Sequence, residues 1–224
     1  MSVRSISEDN LEHYIKKFNI DSFLNDRLLS HIEIFPLEAY ETLIAEQSIP
    51  DYFYLLVEGQ IKCAHYHSNG TLAVVQIMHP FSALGDVELI NNNLTITAAV
   101  ATRPSIALGI RTSTVREEGM NDPLFLQFIS KELVKKLHDS TALRLGHLLP
   151  VKSRLALYVV SKPDAVDGNI IVFPEKEALA SMLGTTYRHL NRVLRELIVE
   201  NTIGTGYPGV RIRNIMNLQK LIDD

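Results

Sequence analysis

The chain has 224 residues, with 22 Lys+Arg against 26 Asp+Glu, one cysteine and no tryptophan. At roughly 100–200 residues per domain this length gives one large domain or two small ones, and a net charge of −4 excludes a polycation coating nucleic acid over its whole surface while leaving room for a local basic patch. The single Cys63 excludes a disulfide framework, structural zinc built on several cysteines and a four-cysteine iron–sulfur cluster. No apolar run approaches about 18 residues and the start has no hydrophobic block, so a soluble, cytoplasmic protein without a membrane partner is expected.

In chain order, Leu11, Tyr14, Ile15 and Phe18 fall at helical spacing and predict a short leading helix. From about Ile32 to Ile110, short runs rich in Val, Ile, Tyr, Phe and Thr are separated by turn signals. These stand at Ile49-Pro50-Asp51, Glu58-Gly59, Ser68-Asn69-Gly70, His79-Pro80 and Asn91-Asn92-Asn93. Strands at such spacing read as an antiparallel barrel or sandwich, with Asn69-Gly70 as the sharpest hairpin turn. Asn121-Asp122-Pro123 then caps a long helix in which Leu126, Ile129, Leu133 and Leu137 form a stripe, either packed on its own domain or serving as a dimer seam. Pro150 breaks that helix. The expected division is residues 1–120 as a β-rich sensor, 121–150 as the long helix and 151–224 as a C-terminal domain. Residues 151–224 carry 10 Lys+Arg and 8 Asp+Glu, leaving 12 and 18 to residues 1–150, so the acidic surplus belongs to the first part.

Within the C-terminal part, residues 152–162 predict a helix and 162–168 a loop. Ala178, Leu179, Met182 and Leu183 then mark the apolar face of a short helix, and Leu190, Val193, Leu194 and Leu197 that of a second. Between them lies Gly184, able to take a left-handed turn, with Ala180 small enough for close helix contact and Thr185 or Thr186 placed as the N-cap. That spacing is a helix-turn-helix. With the apolar face fixed, the second helix displays Tyr187, Arg188, Asn191, Arg192 and Arg195, while His189 faces either the duplex or the neighbouring helix. Arg can bond guanine O6 and N7 together, Asn can pair with adenine, and all of them reach phosphate. Residues 202–213 read as a β-hairpin wing in which Arg211 and Arg213 share one face suited to phosphate contact. From 186 to 213 the arginines are 188, 192, 195, 211 and 213 against the acids Glu196 and Glu200, a local surplus of +3.

A β-rich domain, a long helix and a winged helix-turn-helix in this order resemble the CRP/FNR superfamily of bacterial transcription regulators over nearly the whole chain. The matching segments are Tyr52 to Lys62, the hairpin Asn69-Gly70 and Gly85-Asp86-Val87-Glu88-Leu89. Gly184 to Leu190 resembles the YeiL branch of that family. The resemblance implies an α+β fold: an N-terminal double-stranded β-helix of cupin-like, cyclic-nucleotide-binding type, a long dimerisation helix and a C-terminal winged helix-turn-helix. It implies a homodimer on a double-stranded DNA operator, with RNA polymerase and an unidentified small-molecule effector as further candidate partners. Gly85, Asp86, Val87, Glu88, Thr95 and Thr97, with Asp139 and Ser140 on the long helix, are the candidate effector-pocket residues; the two helix positions read equally as solvated.

Departures from the family pattern narrow these expectations. Cyclic-AMP binders carry an Arg-Ser/Thr couple for the cyclic phosphate, whereas Asn93-Leu94-Thr95-Ile96-Thr97 holds no arginine and Asp86 stands where a glutamate is expected. No cyclic AMP, iron–sulfur cluster or other cofactor is expected. Arg188 stands where many relatives carry a glutamate that reads bases, so the operator sequence does not carry over. His65 and His67, with His79, suggest a metal-dependent cupin enzyme only weakly, since no acid or cysteine completes the set, and they read as exposed strand histidines. Cys63 reads as a core residue. No nucleophile elbow or paired-carboxylate signature points to an enzyme. The remaining alternative is a metabolite-sensing module that acts through protein partners without DNA.

Overall fold

A computed structural model describes residues 8–66, 72–146, 149–161, 170–206 and 209–223. The expected turn at Asn69-Gly70, the loop at 162–168, His67 and the wing tip Tyr207-Pro208 all include positions outside the described residues. The chain forms two compact units, Met1–Gly70 with Val75–Leu137, and Thr71–Val74 with His138–Asp224.

The first unit opens with α1 (Glu8–Phe18), which buries Tyr14 and packs Leu11, Ile15 and Phe18 alongside, as their spacing predicts. A 3-10 turn at Ile20–Ser22 leads to α2 (Asp26–Leu29), capped by the Asn25 side chain accepting from the Leu28 amide at 3.0 Å. The strands are β1 (Glu33–Leu37), β2 (Thr42–Ile44), β3 (Tyr52–Tyr66), β4 (Leu72–Met78), β5 (Ser82–Leu84) and β6 (Ala98–Arg111). Between them and after them lie α3 (Asp86–Asn91), α4 (Thr112–Glu118) and α5 (Pro123–Gly146). Strand order is β1-β6-β3-β4, with β2 also on β6 and β5 also on β3.

The Glu58-Gly59 signal is not a chain reversal. β3 runs through it, antiparallel to β6 from Tyr52↔Arg111 to Ala64↔Ala98, with register irregularities between Leu56 and Ile61. Gly59 adopts φ 87°, and a Cβ there would lie 2.1 Å from Ser105 Oγ, so the bulge needs a residue without a side chain. The displaced polar groups are satisfied locally: Gln60 N donates to Ser105 Oγ at 3.0 Å and Thr102 Oγ1 donates to Gln60 Oε1 at 2.8 Å.

The bulge changes which side chains face which way. Before it, Phe53, Leu55 and Val57 join a core with Leu108, Ile110, Val115, Phe125 and Ile129, beneath the helices. Tyr54 and Leu56 point into a second core with Leu37, Ile44, Met78, Leu84, Ala99, Ala101 and Ala107. After the bulge, odd-numbered Ile61 and Cys63 occupy that second core, because each inserted residue reverses the alternation.

The α5 stripe divides between two environments. Ile129 is buried and Leu133 packs on the unit's own core, beside Phe125 and Phe128, whose ring stacks on Phe23 at 3.9 Å. Leu126 is half-buried, whereas Leu137 is 67% exposed and neighbours Val134, at 65%. A seam made jointly by Leu126, Ile129, Leu133 and Leu137 is therefore corrected. Residues facing Phe125 through i+4 and i+8 serve the core, and the exposed apolar ridge runs through Val134 and Leu137.

The second unit holds α6 (Val151–Val160), β7 (Ile170–Val172), α7 (Lys176–Met182), α8 (Tyr187–Val199), β8 (Ile203–Gly206), β9 (Gly209–Ile212) and α9 (Ile215–Asp223). The strands order as β7-β9-β8. Leu155, Val159, Ile171, Leu179, Leu190, Leu197 and Leu218 form its buried interior.

Candidate nucleic-acid interface

α7 and α8 meet through a turn whose geometry follows from three residues. Gly184 takes φ 59°, a left-handed conformation that a side chain would strain. Its amide donates to Ser181 O and that of Thr185 to Ala180 O, both at 2.9 Å, closing the end of α7. Thr186, rather than Thr185, is the cap: it is extended at φ −88°, ψ 150°, and its Oγ1 accepts from His189 N at 3.2 Å.

Ala178, Leu179, Ala180, Met182 and Leu183 are buried on α7, as are Leu190, Val193, Leu194 and Leu197 on α8. With those positions locked, Tyr187, Arg188, Arg192 and Arg195 stand exposed and His189 and Asn191 are half-buried. Arg192 Nε lies 3.8 Å from Glu196 Oε1, a solvent-exposed i,i+4 pair that holds the guanidinium only weakly and leaves it able to exchange partners. Lys176 Nζ donates to Asn191 Oδ1 at 3.4 Å. Lys176 belongs to the preceding helix, and its relation to Asn191 arises only from the packing of α7 against α8.

On the wing, β9 pairs Arg211 with Gly204 and leaves Arg211 exposed. Arg213 is held by a partner. Its Nη1 donates to Asn201 Oδ1 at 2.7 Å and its guanidinium lies across Gly204, so it braces the base of the hairpin. Gly204 pairs with Arg211, and the Arg213 guanidinium lies where a Gly204 side chain would point, so the two arginines share a face as strand alternation predicts.

The effector-pocket candidates are spread over distinct environments. Gly85 precedes α3, and Asp86 at its first turn is 1% exposed, with Oδ1 accepting from Lys136 Nζ at 2.5 Å. Val87 is exposed, and Glu88 is partly buried, with desolvation holding its carboxyl above the ordinary range. Thr95 is a loop staple: its Oγ1 donates to Ala45 O at 2.7 Å and accepts from Ser48 N at 3.0 Å, so both hydroxyl functions are committed. Thr97 is half-buried ahead of β6. Asp139 is exposed, with His138 Nδ1 at 4.0 Å, and Ser140 is half-buried; both belong to the second unit. The structure thus brings Asp86 to Lys136, a residue that the sequence did not single out.

Cys63 packs against the second core of the sheet, and burial raises its thiol to about 11. His65 Nδ1 is in contact with Glu46 Oε1. Among the described residues no group of three or more His, Cys, Asp or Glu is placed to hold a metal ion.

Two family models match the chain: the cyclic nucleotide-binding domain over residues 35–122 and the Crp-like helix-turn-helix domain over residues 153–221. Regulatory protein YeiL of Escherichia coli O157:H7 is 25% identical over 203 residues, 90% of each chain. Among solved structures, FixK2 of Bradyrhizobium japonicum aligns with a TM-score of 0.75 at 20% identity, covering 85% of this chain and 96% of its own. CLP of Xanthomonas campestris, described as a c-di-GMP responsive global regulator, aligns with a TM-score of 0.67 at 16% identity, covering 84% and 96%. Among the described residues no helix is long and apolar enough to cross a membrane. A sensor-type β domain followed by a DNA-binding helix-turn-helix is the arrangement of regulators, not of enzymes, and this chain belongs to the CRP/FNR superfamily of transcription regulators.

Proposed function

We propose that the protein is a cytoplasmic, homodimeric, sequence-specific regulator whose two recognition helices, α8, enter successive major grooves about 34–36 Å apart on a near-palindromic operator. The observation that carries this reading is the α8 surface: Tyr187, Arg188, Asn191, Arg192 and Arg195 face outward while every apolar residue at the turn is locked inward. Arg188, Arg192, Asn191 and Tyr187 read bases or phosphates, Thr185, Thr186 and His189 border them, and Arg211 contacts the flanking backbone. The exposed ridge of Val134 and Leu137, with half-buried Leu126 on the same helix, supports a second copy of the chain along α5.

Control comes from an effector other than cyclic AMP, or the protein binds DNA without one. Supporting this, residues 85–97 contain no arginine for a cyclic phosphate, and Asp86 is already engaged by Lys136. A cluster-based oxygen sensor lacks its ligands, Cys63 being the only cysteine in the sequence. Contact with RNA polymerase would follow from operator position.

Selection of bound duplexes from a random pool, with and without a metabolite extract, tests the reading. A two-fold symmetric motif is the expected product. Recovery of no enriched sequence under either condition would remove sequence-specific binding.

A further inference from the structure

Glu132 and Lys136 stand one helical turn apart on α5 and both reach the same residue of β5. Ala83 faces Leu55 across the β3–β5 pairing. Its amide donates to Glu132 Oε2 at 3.2 Å and its carbonyl accepts from Lys136 Nζ at 2.9 Å, so two side chains of α5 take the place of a neighbouring strand. The same Nζ donates to Asp86 Oδ1 at 2.5 Å. One ammonium therefore ties α5 to the middle of β5 and to the start of α3.

This pair is a poor device for stability alone. The Asp86 side chain is 1% exposed and that of Lys136 19%, while Asp86 Oδ2 is buried without a hydrogen-bond partner. A buried acceptor left unmade carries a desolvation cost, and replacing buried ion pairs by apolar residues of similar volume is often neutral or stabilising. What the pair does supply is a polar, directional link between the long helix and the β5–α3 corner, which apolar packing at Phe125 and Ile129 does not provide.

We propose that Lys136 and Asp86 form a built-in latch: the amine carried on α5 holds the β5–α3 corner against the helix, and the latched state is the one that binds the operator without any added small molecule. The proposal rests on the regulator reading above and specifies how that regulator is held in its binding state.

The test uses the full chain in three variants: Lys136→Met, the double variant Asp86→Leu with Lys136→Met, and Lys135→Met as a control at an exposed neighbouring lysine. Hydrogen exchange at Ala83 and through residues 86–91 is read beside operator affinity and thermal midpoint. Both latch variants are expected to exchange about tenfold faster in that segment and to bind operator about fivefold more weakly, while the control changes neither. The double variant leaves no unpaired buried charge, so its midpoint stays at or above that of the parent and its lost affinity cannot be ascribed to unfolding. A double variant that binds operator within about twofold of the parent overturns the latch. If the parent itself binds no selected operator, the regulator reading fails separately, and unchanged exchange in residues 83–91 of the variants then overturns the latch by itself.

Discussion

Arg213 donates through Nη1 to Asn201 Oδ1 at 2.7 Å, which ties its guanidinium to the residues leading into β8, whereas Arg211 stands exposed on the same face. The two wing arginines are therefore unequal partners for DNA. Arg211→Ala is expected to reduce the slope of log K against log salt by about one and to weaken all sequences alike, as loss of a phosphate contact does. Arg213→Ala should leave that slope unchanged and lower stability by about 1–2 kcal/mol through the lost charge-assisted bond. Salt titrations of both variants on one duplex separate the roles, and equal slope changes would refute the distinction.

Arg192 is the arginine at the middle of the α8 surface. Arg192→Ala is expected to cost about 1–3 kcal/mol against the selected operator and to relax preference at one base position, while unrelated duplex is bound nearly as before. Its exposed partner Glu196 contributes little, so Glu196→Ala should tighten binding slightly or leave it unchanged. Competition binding against single-base variants of the operator checks both.

The cap of α8 ties stability to binding. Thr186→Ala removes the acceptor for His189 N and is expected to destabilise the second unit by about 1 kcal/mol, whereas Thr186→Ser keeps the bond and costs little. Thermal unfolding of the two variants beside the parent reads the difference.

On α5, neighbouring positions should respond in different currencies. Leu137→Glu puts a charge on the exposed ridge and is expected to shift the protein toward monomer in sedimentation with little change in protomer folding. Ile129→Ala opens a cavity in the sheet-helix core and should cost about 2–5 kcal/mol of stability at any oligomeric state. A monomer from Ile129→Ala that retains full stability would contradict this partition.

Cys63 gives a prediction in pH. Burial raises the thiol to about 11, so the reactive thiolate is scarce at neutral pH and alkylation of the native protein should be far slower than that of the unfolded chain. The sign follows from linkage: the folded thiol titrates above the unfolded one, near 8.5, so its stabilising preference is intact below about pH 8.5 and is lost as pH rises toward 11. Cys63→Ala should flatten that part of the stability profile, measured by denaturant unfolding between pH 8 and about 11.

Where the sequence could be read depended on the distance over which each signal acts. The helix-turn-helix was legible because Ala180, Gly184, Thr186 and Leu190 lie within one short stretch, and each is demanded by local geometry. α1 was legible for the same reason. The periodicity of Leu126, Ile129, Leu133 and Leu137 located a helix, yet it cannot distinguish a core from a partner, since both ask only for apolar side chains. Glu58-Gly59 read as a turn because a bulge and a reversal use the same residues, and only the pairing with Ser105 on β6 decides between them. The place of Thr95 after Gly85-Asp86 suggests a pocket, but its hydroxyl is consumed by Ala45 and Ser48, some fifty positions earlier. Lys136 carries no local signal for a similar reason: its partner Asp86 lies 50 residues away.

The bulge at Gly59 makes the reading frame of β3 a structural variable. Deleting that single residue would restore an even alternation and leave Ile61 and Cys63, then four and six positions after Leu56, on the face they now fill. A scan of one-residue deletions along the strand should therefore find tolerance set by parity: a lone deletion between Leu56 and Ile61 keeps both flanks facing their own cores, whereas one between Phe53 and Val57 sets those two side chains on opposite faces and is the more damaging.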